Sequence, residues 1–328
     1  MLQIKKFGTG GPSIFLTRLE RALKKDNLIA EEIFSNIILT DRYVNTDKQL
    51  ILRLDGLYMN EMTPSELYNF SKNRTGSSIR NIALLNKVLS NTFGLNYSNL
   101  VTPHFTNYFF KKLNKLRKDA FDISRHIIYQ SNFSKNCWNH FYKTDTPSSI
   151  IPNGVNLNDF QPLHNQNNTI YEKGLDLKLL ASGNFRIHKR LQDSIELLKN
   201  IIEFIPKTKL YVIGNLDLQT KAHIFRIFRD KPQLKKHVVF LGKIKFDDLS
   251  VYYANADILL HPSWLDPCPN VVVEALACGL PVVCPSTGGT PELVDRGGII
   301  VEDSFDFGFT EQYNNVPNID YDKYKEAV

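Results

Sequence analysis

The chain has 328 residues, 42% of them hydrophobic and 23% charged. That is the make-up of a globular protein with length for two domains, and no apolar run approaches the roughly 18 residues that span a bilayer. The net charge of +6 is uneven: residues 1–150 carry 21 Lys+Arg against 12 Asp+Glu, net +9, and residues 151–328 carry 19 against 22, net −3. A basic front half suits an anionic acceptor or an anionic membrane face, and equally a solvated surface. The start of the chain lacks the basic-then-apolar pattern of a secretory signal. Cys137, Cys268, Cys278 and Cys284 form no Cys-x-x-Cys pair, so no disulfide framework is expected; a cytoplasmic setting, peripheral to a membrane if the basic face is used, follows.

In chain order, a glycine loop, Thr9-Gly10-Gly11-Pro12-Ser13, precedes apolar residues at helical spacing from Ile14 to Leu23. Short buried strands are expected at Ile37–Leu39 and Leu50–Leu52, the latter extending toward Tyr58, and a helix over Ile82–Leu89. Phe109 to Phe121 is amphipathic at helical period, with five cations around its polar side. It reads either as a helix lying on an anionic membrane or as a core-packed helix with a solvated face. Ile127–Tyr129 is another strand, and Ser134 is the expected cap of the next helix. Composition shifts at Pro152-Asn153-Gly154 and His164–Asn168 mark the connection between residues 1–150 and 151–328.

The rear half alternates more cleanly. Strands are expected at Leu177–Ala181, Lys209–Ile213, Val238–Leu241, Ile258–His261 and Pro281–Cys284. Helices are expected at Leu191–Ile205, Gln219–Arg229, Phe246–Asn255 and Val271–Ala277. This order argues for an α/β fold with a parallel sheet covered on both faces, whose ligands sit outside the carboxyl ends of the strands.

The most informative stretch runs from Asp257 to Val283: strand, proline-rich loop, short helix, strand. Pro267 and Pro269 hold the loop extended, so the helix starts near Asn270 with free N–H groups facing the loop, a ready anion site at Asn270 and Val271. Glu274 lies one turn inside that helix, within reach of a hydroxyl beside the anion. A phosphate and a polyol side by side describe a sugar nucleotide. Seven residues separate Asp266 from Glu274.

That spacing resembles the acid-x7-Glu motif of retaining glycosyltransferases with the GT-B fold, glycosyltransferase family 4 (glycosyl transferases group 1). The resemblance runs closely from Ile151 to Val301. It implies two Rossmann-like domains facing across a cleft, with residues 1–150 binding the acceptor and residues 151–328 the donor. The family usually has Glu where this chain has Asp266. Ser182-Gly183-Asn184-Phe185-Arg186-Ile187-His188-Lys189 resembles the family's Gly-Arg-x-x-x-x-Lys pattern, which places an Arg and a Lys on the donor diphosphate. Lys189 stands at the Lys position; Asn184 holds the usual Arg position, and Arg186 is the expected substitute two residues on. Ile151-Pro152-Asn153-Gly154-Val155-Asn156 with Phe160 resembles the joint between the domains, where Asn153-Gly154 is expected to turn and Phe160 to anchor the chain. Gly10 and Gly11 resemble the N-terminal loop that approaches donor phosphate and acceptor. Thr287-Gly288-Gly289-Thr290-Pro291-Glu292 resembles the turn that helps close the nucleotide site, and Gly242 and Lys243 sit where the base is framed. Many members carry a His beyond a central front-domain strand; here Asp55 takes the strand tip, either orienting a substrate hydroxyl or forming a simple Asp-Gly turn. His104 is a second candidate.

The resemblance implies retention of anomeric configuration, no required metal or cofactor, a nucleoside-diphosphate-sugar donor and a sugar, glycan or lipid-linked acceptor, with no nucleic acid. The expected catalytic set is Asp266, Glu274, Lys189, Arg186 and Asp55. Two alternatives share the architecture: a non-hydrolysing sugar-nucleotide epimerase, and a donor-binding protein without catalysis. Members commonly send a last helix back across the first domain, and Tyr321–Val328 looks like the start of one.

Overall fold

The computed structural model describes residues 2–5, 11–25, 37–40, 49–54, 120–162, 170–303 and 316–328. Within them lie two sheets whose strands all run parallel. The first holds β1 (Leu2–Lys5), β2 (Ile37–Thr40), β3 (Gln49–Leu54), β4 (His126–Tyr129) and β5 (Ser148–Ile150) in chain order, with α1 (Gly11–Lys25) after β1 and α2 (Asn132–Phe141) after β4.

The second sheet begins with β6 (Leu177–Ser182), followed by α3 (Leu191–Ile202), β7 (Thr208–Ile213), α4 (Leu218–Asp230) and β8 (Val238–Gly242). It continues through α5 (Leu249–Asn255), β9 (Ile258–Leu260), α6 (Asn270–Ala277), β10 (Val282–Pro285), α7 (Pro291–Val294), β11 (Gly298–Val301) and α8 (Tyr321–Glu326). Its strand order is β11-β10-β9-β6-β7-β8. β6 and β9 are therefore neighbours, and the loops leaving their carboxyl ends meet although about 75 residues separate them.

Both sheets are buried on both faces, and the two-residue period of a strand decides which helix each side chain meets. Leu177, Leu179 and Ala181 of β6 pack with Leu191, Ile195 and Leu198 of α3. The intervening Leu180 joins Tyr253 of α5 and Val272 and Ala275 of α6 on the opposite face. In the first sheet Leu50, Leu52 and Leu54 face Cys137 and Trp138 of α2, while Ile51 lies against Leu16 of α1. This is why these strands read as continuous apolar runs in the sequence.

Several boundaries move. β3 starts one residue early, at Gln49, and is described to Leu54, its expected extension toward Tyr58 lying outside the described residues; α1 starts at Gly11, three residues before Ile14. Ser131, rather than Ser134, caps α2: its side chain accepts from the Ser134 amide at 3.0 Å, and Ser134 itself is buried. The turn of the joint falls after Asn153-Gly154, where the Asn156 carbonyl accepts from the amides of Asp159 and Phe160. Phe160 is fully buried in the rear core. The segment Tyr321–Val328 packs on α3 of the rear domain: Tyr324 and Val328 join its core and the Tyr321 hydroxyl donates to Asp193 at 2.9 Å. Ala120 and Phe121 are buried; the rest of the amphipathic stretch from Phe109, the helix expected at Ile82–Leu89 and the connection at His164–Asn168 lie outside the described residues. All four cysteines are free and buried.

Candidate active site

The carboxyl ends of β6 and β9 bring two loops together. The first leaves β6 through Gly183 and Asn184. It then makes a short 3-10 turn over Ile187–Lys189 and enters α3 through Arg190, whose φ of 51° is left-handed. The second runs from His261 to Pro269 and enters α6. Lys189 Nζ donates to the Asp266 carboxylate across the gap. Asp266 thus becomes a partner of Lys189, where the sequence reading gives the two residues separate contacts on the donor. Burial opposes ionisation of Asp266, but the Lys189 ammonium beside it brings its carboxyl below the usual carboxylate range.

The proline-rich loop is pinned from three sides. The Trp264 amide donates to the His188 carbonyl at 2.8 Å, the Gly289 amide to the Asp266 carbonyl at 2.8 Å, and the Asn153 side chain to the Cys268 carbonyl at 2.7 Å. Leu265, one residue before Asp266, is held at a φ of 53°, a conformation that costs a β-carbon-bearing residue roughly 1–2 kcal/mol. Three independent anchors hold that strain, which is how a site keeps an acid at one position. Gly289 is required by close approach, since a Cβ there would stand 2.0 Å from the Pro267 carbonyl oxygen and 2.6 Å from Ser131 Oγ.

Loop and helix meet at Pro269. Among the described residues no side chain caps the first turn of α6, so its leading amides face the loop that carries Asp266. Glu274, on the next turn, is buried. Its Oε2 accepts from the Tyr253 hydroxyl at 3.3 Å, and that hydroxyl is 2.9 Å from Ser182 Oγ. Its Oε1 accepts from Arg18 Nη2 of α1 at 2.5 Å, across from the first domain. Burial raises the Glu274 pKa; the hydrogen bond and charge of Arg18 work against that rise. Arg18 also donates to the Gly154 carbonyl at 3.2 Å. A cavity of about 580 Å³ opens beside this bridge, walled by Arg18 and Arg21 of α1, residues 154–157 and Phe246.

Two imidazoles border the ion pair. His261 is buried with its Nε2 3.9 Å from the Asp266 carboxylate. Burial and the Lys189 charge push it down to about 4, so it is neutral at physiological pH. His188 is pushed down to about 3 by burial and Lys189, with Arg186 adding to the effect. Arg186 and Asn184 are exposed on the same loop. Gly242, at a φ of 69°, and the exposed Lys243 stand at the same sheet end, beyond β7, and the Gly214 amide donates to the Gly242 carbonyl at 2.7 Å.

Lys189, Asp266, the amides at Asn270 and Val271, and Glu274 therefore share one loop-and-helix unit. Gly11 contributes by starting α1, which carries Arg18 to Glu274. Gly10, Asp55 and His104 lie outside the described residues. The sequence reading misses Arg18, Tyr253 and His261. Arg18 and Tyr253 have no local signal, being one basic and one aromatic residue among many, whereas His261 stands at a strand tip and was open to being found. Glu292 also takes a role the motif did not suggest: its carboxylate accepts from the amides of Asn132 and Phe133, at 2.7 and 2.8 Å, and so caps α2 of the first domain.

Residues 176–312 match the family model described as Glycosyl transferases group 1. The sulfoquinovosyl transferase SQD2 of Arabidopsis thaliana is 34% identical over 104 residues, covering 32% of this chain and 19% of that protein. A GDP-mannose-dependent monoacylated alpha-(1-6)-phosphatidylinositol monomannoside mannosyltransferase of Corynebacterium glutamicum is 25% identical over 191 residues, covering 54% of this chain and 49% of its own. The chain thus matches half or less of the length of these curated relatives. Among solved structures, the sucrose-phosphate synthase of Thermosynechococcus elongatus superposes with a TM-score of 0.62 at 17% identity, covering 98% of this chain and 70% of that one. The likeness establishes the GT-B fold.

Proposed function

We infer that the chain transfers a sugar from a nucleoside-diphosphate-sugar to a hydroxyl acceptor, with retention of configuration and without a metal. The reading rests on one observation. An uncapped helix start, a lysine and two carboxylates converge at the carboxyl ends of a parallel sheet, inside the segment that matches a glycosyltransferase family. The names of the relatives extend it to sugar donors such as GDP-mannose and to lipid-linked acceptors.

Each group has a distinct task in this reading. The diphosphate lies on the amides of Asn270 and Val271, where the helix dipole favours negative charge. Lys189 faces the same oxygens. As the glycosyl bond breaks, charge grows on the leaving diphosphate, and a fixed ammonium stabilises that charge more in the transition state than in the ground state. Asp266 holds Lys189 in place through their ion pair. Arg186 adds a bidentate fork from the exposed side of the loop. Glu274 accepts from the ribose hydroxyls, and Tyr253 orients it. The acceptor enters from the first domain.

Glu274→Ala and Lys189→Ala each remove a charge-assisted contact of roughly 1.5–3 kcal/mol, or about 10- to 100-fold in turnover. The assay is consumption of UDP-, GDP-, ADP- and TDP-sugars with and without acceptor, beside donor binding by thermal shift. Both variants should bind donor more weakly and turn over more slowly, and EDTA should leave the wild-type rate unchanged. Wild-type turnover in both variants would refute the site. Donor consumption that needs no acceptor would favour an epimerase, and donor binding without consumption a protein that lacks catalysis.

A further inference from the structure

A second feature lies outside the candidate site. α4 and the edge strand β8 frame a groove of about 660 Å³. Its walls carry Phe225, Phe228 and Phe240 together with Lys221, Arg229 and Lys235, and among the described residues no carboxylate lines it. Lys221, Phe225, Phe228 and Arg229 follow one another at intervals of four, three and one, so a single face of α4 presents them. Phe225 is 71% exposed and Phe240 44%. Phe228 and Phe240 meet edge to face with ring centres 6.4 Å apart. Arg229 pairs with the exposed Asp230 at 2.8 Å; Lys221 and Lys235 make no ion pair among the described residues. Among the described residues β8 pairs only with β7, which leaves this flank of the sheet open.

Local charge runs against the charge of the domain. Residues 151–328 carry a net −3, yet the charged residues that line the groove are all cations. A patch of solvent-facing aromatics ringed by cations complements a surface that is apolar inside and anionic at its rim. An uncharged apolar partner would leave Lys221 and Lys235 without counter-charges, whereas lipid phosphates supply them.

We propose that this groove is a docking surface for an anionic lipid bilayer, with Phe225 and Phe240 entering the acyl boundary and Lys221, Arg229 and Lys235 on the headgroup phosphates. β8 ends at Gly242, and the segment beyond it reaches Phe246 in the cavity beside Arg18 and Glu274, so docking holds that cavity close to the membrane. The proposal stands independently of the assigned reaction.

The test is co-sedimentation of the full chain with phosphatidylcholine vesicles and with vesicles also containing phosphatidylglycerol. The chain should sediment with the anionic vesicles only, and Phe225→Ser or the pair Lys221→Glu and Lys235→Glu should weaken this at least about tenfold. Phe225→Trp locates the contact, because its fluorescence should be quenched by lipids brominated in the acyl chain. No sedimentation, undiminished sedimentation of the variants, or an unquenched tryptophan overturns the proposal. So does a Phe225-dependent dimer in vesicle-free solution, which would assign the face to a second copy of the chain. Unchanged melting temperatures of the variants confirm that the readout is not unfolding.

Discussion

Arg18 and Glu274 stand 256 positions apart and meet at 2.5 Å. Their contact sets the electrostatics around the Glu274 carboxylate. A buried carboxylate prefers its proton, and burial indeed raises the Glu274 pKa. Arg18 supplies the charge that opposes this. In Arg18→Ala the ionised form loses roughly 1.5–3 kcal/mol, so the acid limb of the kcat/KM profile should move about one to two pH units upward. An unmoved limb would show that Arg18 does not govern Glu274 during turnover. Lys189 and Asp266 follow the same logic in the opposite sense, the carboxylate being held ionised by its partner. Arg190 is a third buried charge. It is fully enclosed, lies over the Trp264 ring at 4.8 Å, and has an Asp303 oxygen 3.6 Å from its Nη1. It fixes the start of α3 where a left-handed residue is needed.

Elements inherit their position from such contacts. α6 owes its open start to Pro269, which ends the extended loop and leaves the first amides free. α8 docks on α3 through Tyr321 and Asp193. Burial pushes Asp193 up to about 6, although the Tyr321 hydroxyl opposes the shift. An unfolded Asp titrates near 4. The folded chain therefore holds this proton more tightly, and the stability it adds is full below about pH 4 and lost as pH rises through about 6. Asp193→Asn abolishes that dependence. Relative to wild type, the variant should gain about 1 kcal/mol between pH 5 and pH 7.5 in urea unfolding; an equal pH slope in both proteins would contradict the assigned shift. The same scale shows where sequence reading stopped. The apolar runs of β6, β7 and β9 and the start of α6 were legible, because strand period and proline leave local marks. The cap at Ser131 instead of Ser134 was not, since several serines near a helix start satisfy the same preference.

At the scale of the whole molecule, Glu292 ties the second domain to the first by capping α2 with its carboxylate. Losing an exposed cap costs only about 1 kcal/mol of stability, but here it also removes one of the contacts that join the two domains, leaving the Arg18–Glu274 bridge. Glu292→Ala should broaden the distribution of interdomain distances in small-angle scattering and leave the melting temperature nearly unchanged; an unaltered distribution would place the coupling elsewhere. The sequence by itself determined the parallel α/β layering, since both faces of each strand are apolar, and the placement of Asp266 before a helix start with Glu274 one turn beyond it. Those are short-range facts, written in proline positions and residue spacing. Only the tertiary structure decided that Lys189 meets Asp266, that Arg18 meets Glu274 and that Glu292 reaches α2. Such pairs depend on the strand order β9-β6-β7 and on how two domains face each other. A spacing rule over a few residues carries no term for partners tens to hundreds of positions away.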